Sequence, residues 1–436
     1  MAKERQISFS PPDITQAEID EVADALRSGW ITTGPKTKRF ENELSAFMGT
    51  TKTAALNSAT AALECGLRVL GVGPGDEVIT SAYTYTSSAS AIVHVGATPV
   101  MCDVAPGSFE MDYGQLSNLI TSKTRAIIPV DIAGKMVDYD TLFAVLDSCK
   151  SKWNPQTDVQ KRFDRVPVLA DGAHSFGASY HGKTSGTVAD LTAFSFHAVK
   201  NLTTAEGGAL TWRPGTLDDE ETYKLLMLMS LHGQSKDALA KTKAGAWEYD
   251  IVFPGWKCNM TDIMASVGLA QLHRYPDLLA RRRALVSRYE AGLADMDLDL
   301  IHHYSEDGQP FACAHALSDD EAASKRAAEA ASETGYASSG HLMLVRLTGK
   351  SQEFRNALIT KMGEAGVATN VHYKPLPMMT AYKNLGFDIA AFPNAYAQFA
   401  NEITLPLHTK LTDEDVDYVV DTFKACYHNL ESAGIE

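Results

Sequence analysis

The chain has 436 residues, 45% of them apolar and 21% charged, with a formal net charge of −15. That length and balance allow one large domain and a smaller one, each with a core. The acidity argues against a broad nucleic-acid-binding face, yet leaves room for a local pocket that takes one phosphate.

No run of about 18 apolar residues occurs, and the start Met1-Ala-Lys-Glu-Arg-Gln6 lacks the apolar stretch of a signal peptide. A cytoplasmic location without membrane attachment is expected. The six cysteines (Cys65, Cys102, Cys149, Cys258, Cys313, Cys426) are scattered, with no C-x-x-C pair and no histidines at metal-ligand spacing. They read as reduced, mostly structural thiols, with no metal site.

In chain order, residues 14–27 form an amphipathic helix after Pro11-Pro12, and residues 38–48 a second, polar-faced one. Thr53-Ala-Ala-Leu-Asn57 reads as a short strand and 59–70 as a helix. Further strands are predicted at 76–80, 98–103, 124–130, 166–170 and 189–196, with helices between them. Such alternation implies parallel crossovers, so residues 1–270 are expected to form a large α/β domain around a mostly parallel, doubly wound sheet. A long helical stretch, 261–293, broken near Pro276, leads into residues 271–436. There a strand at 342–347, a helix at 351–365 and a closing helix at 413–432 predict a small α+β domain. The polar segments 149–165 and 305–340 read as additions, either a cover or, more simply, surface decoration.

Two stretches carry chemistry. The apolar run Val168-Leu-Ala-Asp171-Gly-Ala-His174 predicts a buried strand that delivers Asp171 to the carboxyl edge of the sheet, where open α/β sheets bind ligands. Phe194-Ser195-Phe196-His197-Ala-Val-Lys200 places an amine just past a second such strand. A lysine there can form an imine with an aldehyde, and an aspartate can keep a pyridine nitrogen protonated, so the pair fits pyridoxal phosphate (PLP). Asn57-Ser58-Ala59-Thr60-Ala61 is a strand-to-helix junction with free backbone amides, a phosphate site in this context although an ordinary helix cap when met alone. Ser195 can add a hydroxyl. Tyr85, after the 76–80 strand, can stack on the cofactor ring, where an isolated aromatic would otherwise read as core.

Several motifs, in order, resemble the DegT-type sugar aminotransferases: Gly29-Trp-Ile-Thr32-Thr33-Gly-Pro35, Asn57-Ser-Ala-Thr-Ala-Ala-Leu63, Asp171-Gly-Ala-His174, Phe194 to Lys200 with Glu206-Gly-Gly208, and Gly255-Trp-Lys-Cys-Asn-Met-Thr-Asp-Ile263. The resemblance spans residues 7–418. It implies a fold type I PLP enzyme with a seven-stranded type of sheet, a homodimer that moves an amino group from L-glutamate to a keto group of a nucleotide-linked sugar.

By that resemblance Lys200 is the imine-forming lysine, Asp171 the pyridine-nitrogen partner, and His174 a neighbour of the ring hydroxyl. Ser58, Thr60, Ala61 and Ser195 correspond to phosphate contacts, and Tyr85 to the stacking aromatic. Lys257 or Asn259, from the 255–259 loop, is expected to reach the phosphate of the other subunit. Thr32, Thr33, His372 and Tyr373 correspond to the substrate side. Two departures stand out. Ala170 and Gly172 flank Asp171 where relatives carry Glu-Asp-Ala, and Thr80-Ser81-Ala82 stands where proline is common.

Freed Lys200, with its pKa lowered by burial, is the expected proton carrier. The run around Lys200 and the presence of His174 favour amination at C4, with C3 open. The retained lysine argues against the dehydratases of this fold. The same motifs also suit a keto-cyclitol or antibiotic-precursor aminotransferase, or a non-catalytic PLP-binding regulator.

Overall fold

The computed structural model describes residues 5–235, 248–305 and 335–435. Helices α1 (Gln16–Ser28) and α2 (Pro35–Met48) precede strand β1 (Thr53–Leu56) and helix α3 (Ala59–Val69). The Thr15 side chain and Glu18 form a reciprocal cap at the start of α1, and Gly29, at φ 75°, ends it in the left-handed conformation that a side chain would oppose. Then follow β2 (Glu77–Ser81), α4 (Thr86–His94), β3 (Thr98–Cys102), α5 (Tyr113–Leu119), β4 (Thr124–Ile128), α6 (Tyr139–Ser148), β5 (Leu169–Asp171), β6 (Ser179–Tyr180), β7 (Lys183–Thr184), β8 (Leu191–Ser195), β9 (Gly208–Trp212) and α7 (Asp219–Ser230).

Ladders give the orders β3-β2-β4 and β1-β9-β8-β5. Parallel bridges Ile127↔Val168 and Val130↔Asp171 join them into one seven-stranded sheet. All neighbours are parallel except β9, which runs antiparallel to both β8 and β1. The reversal has a local cause: β8 and β9 are linked by residues 196–207, which hold no helix and turn the chain back on itself. Strand β9 was not among the strands expected from sequence.

Alternate residues feed cores on opposite faces of the sheet. Val78, Ile128 and Leu169 pack with Leu63 and Leu67 of α3. Their neighbours Ile79, Ile127, Val168 and Ala170 pack with Leu142 and Leu146 of α6. Burial on both faces is why these strands read as unbroken apolar runs.

The expected 261–293 helix is two helices, α8 (Asp262–His273) and α9 (Tyr275–Leu293), with the proline in the first turn of α9, where its missing N–H costs nothing. An antiparallel sheet of β10 (Leu298–Leu300), β12 (Met343–Leu347) and β13 (Glu402–Leu405) packs with α9 and with the helices Gln352–Glu364 and Asp413–Ser432. Strand β11 (Tyr336–Ala337) pairs with β6. Segment 149–165 holds two short 3₁₀ turns and is tied down by buried Gln160, whose amide donates to Leu70 O at 2.9 Å. Of segment 305–340, residues 306–334 lie outside the described residues.

Candidate active site

One sheet edge collects the chemistry. The carboxyl ends of β1, β2, β4, β5 and β8 point the same way, and the reversed β9 brings its first residues to that edge too. A cavity of about 470 Å³ opens there, lined among others by Ser58, Thr60, Tyr85, Asp171, His174, Ser195, Lys200, His372 and Tyr373. No residue of segment 149–165 lines it.

Asp171, at the end of β5, is 3% exposed. Its Oδ2 accepts from Ser88 Oγ at 2.7 Å and its Oδ1 from Ala173 N at 3.2 Å. Because the Ser88 hydroxyl is spent on the carboxylate, its oxygen accepts from Thr84 Oγ1 at 2.9 Å. Burial pushes the Asp171 carboxyl above its ordinary range, against the pull of these bonds and of the Lys200 charge. A carboxylate so placed gains from a cationic partner such as a protonated ring nitrogen.

Lys200 keeps part of its surface open to the cavity, and its N–H donates to His197 O at 2.9 Å. Protein packed around the amine pushes its pKa down to about 8, with Asp171 opposing. A substantial share of the amine is therefore neutral, and nucleophilic, near physiological pH.

His174 is held at both nitrogens. Nδ1 accepts the Ala133 N–H at 3.3 Å, and Nε2 lies 3.1 Å from Tyr373 Oη. Ala133 sits at φ 56°, which aims that amide at the ring. Burial, then the Lys200 charge, drive His174 well below its usual pKa, so it is neutral with its proton on Nε2. The ring of buried His341 packs beside it, 4.3 Å between centroids. His341 was not foreseen from sequence, nor were Ser88 and Thr84.

At the start of α3, Ser58 Oγ accepts the Ala61 N–H at 3.1 Å. Ala61 thus spends its amide on the cap and does not line the cavity. The amides of Ala59 and Thr60 stay open as donors, because the first helical residues have no intrahelical acceptor. Gly208 makes this approach possible: a Cβ there would fall 2.3 Å from the Ser58 carbonyl carbon. Tyr85 is 59% exposed, with its ring 6.0 Å from that of Tyr373, so it is not a core residue.

Besides Ala61, four expected residues lie outside the cavity: Thr32, Thr33, Lys257 and Asn259. Thr33 Oγ1 donates to Met260 O at 2.5 Å and accepts from Asn259 Nδ2 at 2.6 Å. Lys257 Nζ pairs with Asn259 Oδ1. Exposed Thr32 gives its carbonyl to Asp262 N at 3.1 Å.

The residues suit PLP. Open amides and hydroxyls stand at one end for a phosphate, a buried carboxylate at the other for a ring nitrogen, and an amine of lowered pKa shares the cavity with both. Sheet order and edge chemistry together define a fold type I, PLP-dependent transferase.

The profile of the DegT/DnrJ/EryC1/StrS aminotransferase family matches residues 12–424. The chain is 35% identical to the spore coat polysaccharide biosynthesis protein SpsC of Bacillus subtilis over 422 residues, 96% of either chain. A putative sugar aminotransferase, Spr1654 of Streptococcus pneumoniae, in its PLP form, superposes with a TM-score of 0.88 at 53% identity, covering 98% of this chain and 100% of that one. Helicobacter pylori PseC, an aminotransferase involved in the biosynthesis of pseudoaminic acid, superposes with a TM-score of 0.79 at 25% identity, covering 98% of this chain and 100% of that one.

The chain belongs to the DegT/DnrJ/EryC1/StrS aminotransferase family. It is an enzyme, a PLP-dependent sugar aminotransferase.

Proposed function

We propose that this enzyme transfers an amino group from L-glutamate to the C4 keto group of a nucleotide-linked sugar, with Lys200 as the covalent anchor and proton carrier. The observation that carries the reading is that Lys200 and Asp171 line one cavity and feel each other's charge. When bound, the cofactor supplies an aldehyde that takes up amino groups and an electron-poor ring that stabilises negative charge on the adjacent carbon.

The remaining work falls to side chains. Asp171, fixed by Ser88 and the Ala173 amide, would hold a proton on the ring nitrogen. Thr60 and Ser195 would hold the phosphate, with the amides of Ala59 and Thr60 adding donors at the positive end of α3; Ser58, whose hydroxyl caps Ala61 and donates to Asn57 Oδ1 at 3.2 Å, shapes the cup. Tyr85 would offer its face to the ring, and His174 with Tyr373 would stand beside its hydroxyl. The Lys200 amine would carry a proton between the carbon that loses it and the carbon that gains it. An amine with a pKa of about 8 can do both near neutrality.

We further propose a homodimer in which Lys257 or Asn259 completes the partner's phosphate site. Support comes from the exposure of Lys257, its position outside its own cavity, and the exposed apolar residues Tyr249, Ile251, Val252 and Trp256 beside it. A carbohydrate ketone agrees with the names of SpsC and PseC. No described helix is long and apolar enough to cross a membrane, which agrees with a cytoplasmic enzyme fed by cytoplasmic sugar nucleotides.

The test is half-reaction spectroscopy: the amino form of the cofactor, generated with glutamate, is mixed with 4-keto and 3-keto sugar nucleotides and with a keto-cyclitol. Rapid return of the aldehyde-form spectrum with the 4-keto sugar alone is expected. Return only with the cyclitol would overturn the nucleotide-sugar reading.

A further inference from the structure

His372 is built into the wall of this cavity from behind. Its backbone N–H donates to Glu402 Oε2 at 2.9 Å, its carbonyl accepts from Tyr83 Oη at 2.6 Å, and its ring stacks on Phe9 with centroids 5.6 Å apart. Ring Nδ1 lies 3.0 Å from Thr404 Oγ1, and Thr404 Oγ1 lies 2.5 Å from Glu402 Oε1. Glu402 and Thr404 are both 0% exposed. Nε2 has no protein partner among the described residues, and His372 lines the cavity.

A threonine hydroxyl has one hydrogen, so this chain of bonds has two possible directions. With Glu402 ionised, Thr404 donates to the carboxylate and its oxygen accepts from Nδ1–H, which leaves Nε2 bare. With Glu402 protonated, the carboxyl donates to Thr404, Thr404 donates to Nδ1, and the ring proton sits on Nε2. The change takes up one proton at Nε2 from the cavity, while the Nδ1 proton passes to Thr404 as Thr404 yields its own to Glu402. No other proton route is needed for a carboxyl sealed from solvent.

We propose that Glu402 and Thr404 are positioning residues that set the tautomer of His372, so that it presents an acceptor to a sugar hydroxyl when Glu402 is ionised and a donor when Glu402 is protonated. The inference rests on reading this cavity as the sugar's side of the active site.

Both directions are accessible. Burial pushes Glu402 up to about 8, against its bonds to Thr404 and His372 and the nearby Arg355. Burial, with Lys200, pushes His372 down to about 4, so the ring is neutral and its tautomer is the variable. The other titratable groups around the pair are Tyr83 and Tyr373 beside Glu402, and His174 and His341 beside His372.

Glu402→Gln is the decisive variant. An amide of the same shape accepts the His372 N–H with its oxygen and offers its NH₂ to Thr404, which locks the relay in the Nε2–H direction. The experiment records imidazole ¹⁵N spectra of the holoenzyme without sugar, with His372 assigned by its loss in His372→Gln. In the wild type His372 should pass from Nε2–H to Nδ1–H as pH rises through the Glu402 titration. E402Q should hold Nε2–H throughout, and T404V should uncouple the ring from pH. In turnover, E402Q should change KM for the sugar roughly tenfold, the size of one hydrogen bond, with a smaller effect on kcat. A wild-type ring that does not change tautomer, or an E402Q ring that still does, overturns the proposal. Because the spectra need no sugar, a wrong substrate assignment is distinguished from a failed relay.

Discussion

His174 and Tyr373 meet at 3.1 Å between imidazole Nε2 and the phenol oxygen, and the direction of that bond is fixed by the opposite side of the ring. Nδ1 already accepts from Ala133, so Nε2–H donates to Tyr373 and leaves the phenol hydrogen free for the cavity. Tyr373→Phe should fold and take up PLP but turn over about tenfold more slowly, the worth of one hydrogen bond in the site. Steady-state rates at saturating substrate check this, and unchanged turnover contradicts it.

Asp171→Asn keeps the shape of the carboxylate and the bond from Ser88 but removes the charge opposite the ring nitrogen. Cofactor should still bind. The first half-reaction with glutamate should slow by about 10²–10³, typical for loss of one preorganised electrostatic group. Equal single-turnover rates would remove Asp171 from its proposed role.

The depressed pKa of Lys200 has a pH signature in the apoprotein. Below about 8 the amine is mostly protonated and cannot attack an aldehyde; above it the neutral form dominates. PLP uptake by apoenzyme should therefore rise by about tenfold per pH unit up to that value and then level off, well before the ordinary lysine range. Stopped-flow reconstitution measures it. A rate still climbing steeply above pH 9 contradicts the depressed value.

Gly208 matters through what it lets approach. Alanine there would put a carbon 2.3 Å from the Ser58 backbone, which is immovable without shifting the start of α3. Gly208→Ala should lower stability by about 1–3 kcal/mol, the usual range for overpacking, and weaken PLP binding more than it weakens the fold. Thermal unfolding of apo and holo protein separates the two losses.

Much of this was legible in the sequence for physical reasons. Strands buried on both faces must be apolar runs, and an aspartate that ends such a run, or a lysine in the loop that follows one, arrives at the ligand edge of an α/β sheet, so Asp171 and Lys200 stood out. Strand β9 did not, because its direction depends on a helix-free loop. Ser88, His341, Thr404 and Glu402 carry no local signal; they matter through tertiary contacts from α4, from the segment before β12, and from β13. Ala61 was legible as part of a helix start, but whether its amide faced a phosphate or the Ser58 cap was decided by one hydroxyl. Thr32, Thr33, Lys257 and Asn259 stood out only through the resemblance; in the fold, Thr33, Asn259 and Lys257 bond to one another and to Met260 outside the cavity, and Thr32 gives its carbonyl to Asp262.

Borohydride reduction of the untreated holoenzyme, followed by peptide mass mapping, bears on the whole account at once. The expected result is a pyridoxyl phosphate adduct on the peptide containing Lys200, absent in Lys200→Ala, which should also lack turnover. An active enzyme with its adduct on another lysine, or turnover that survives in Lys200→Ala, would contradict it.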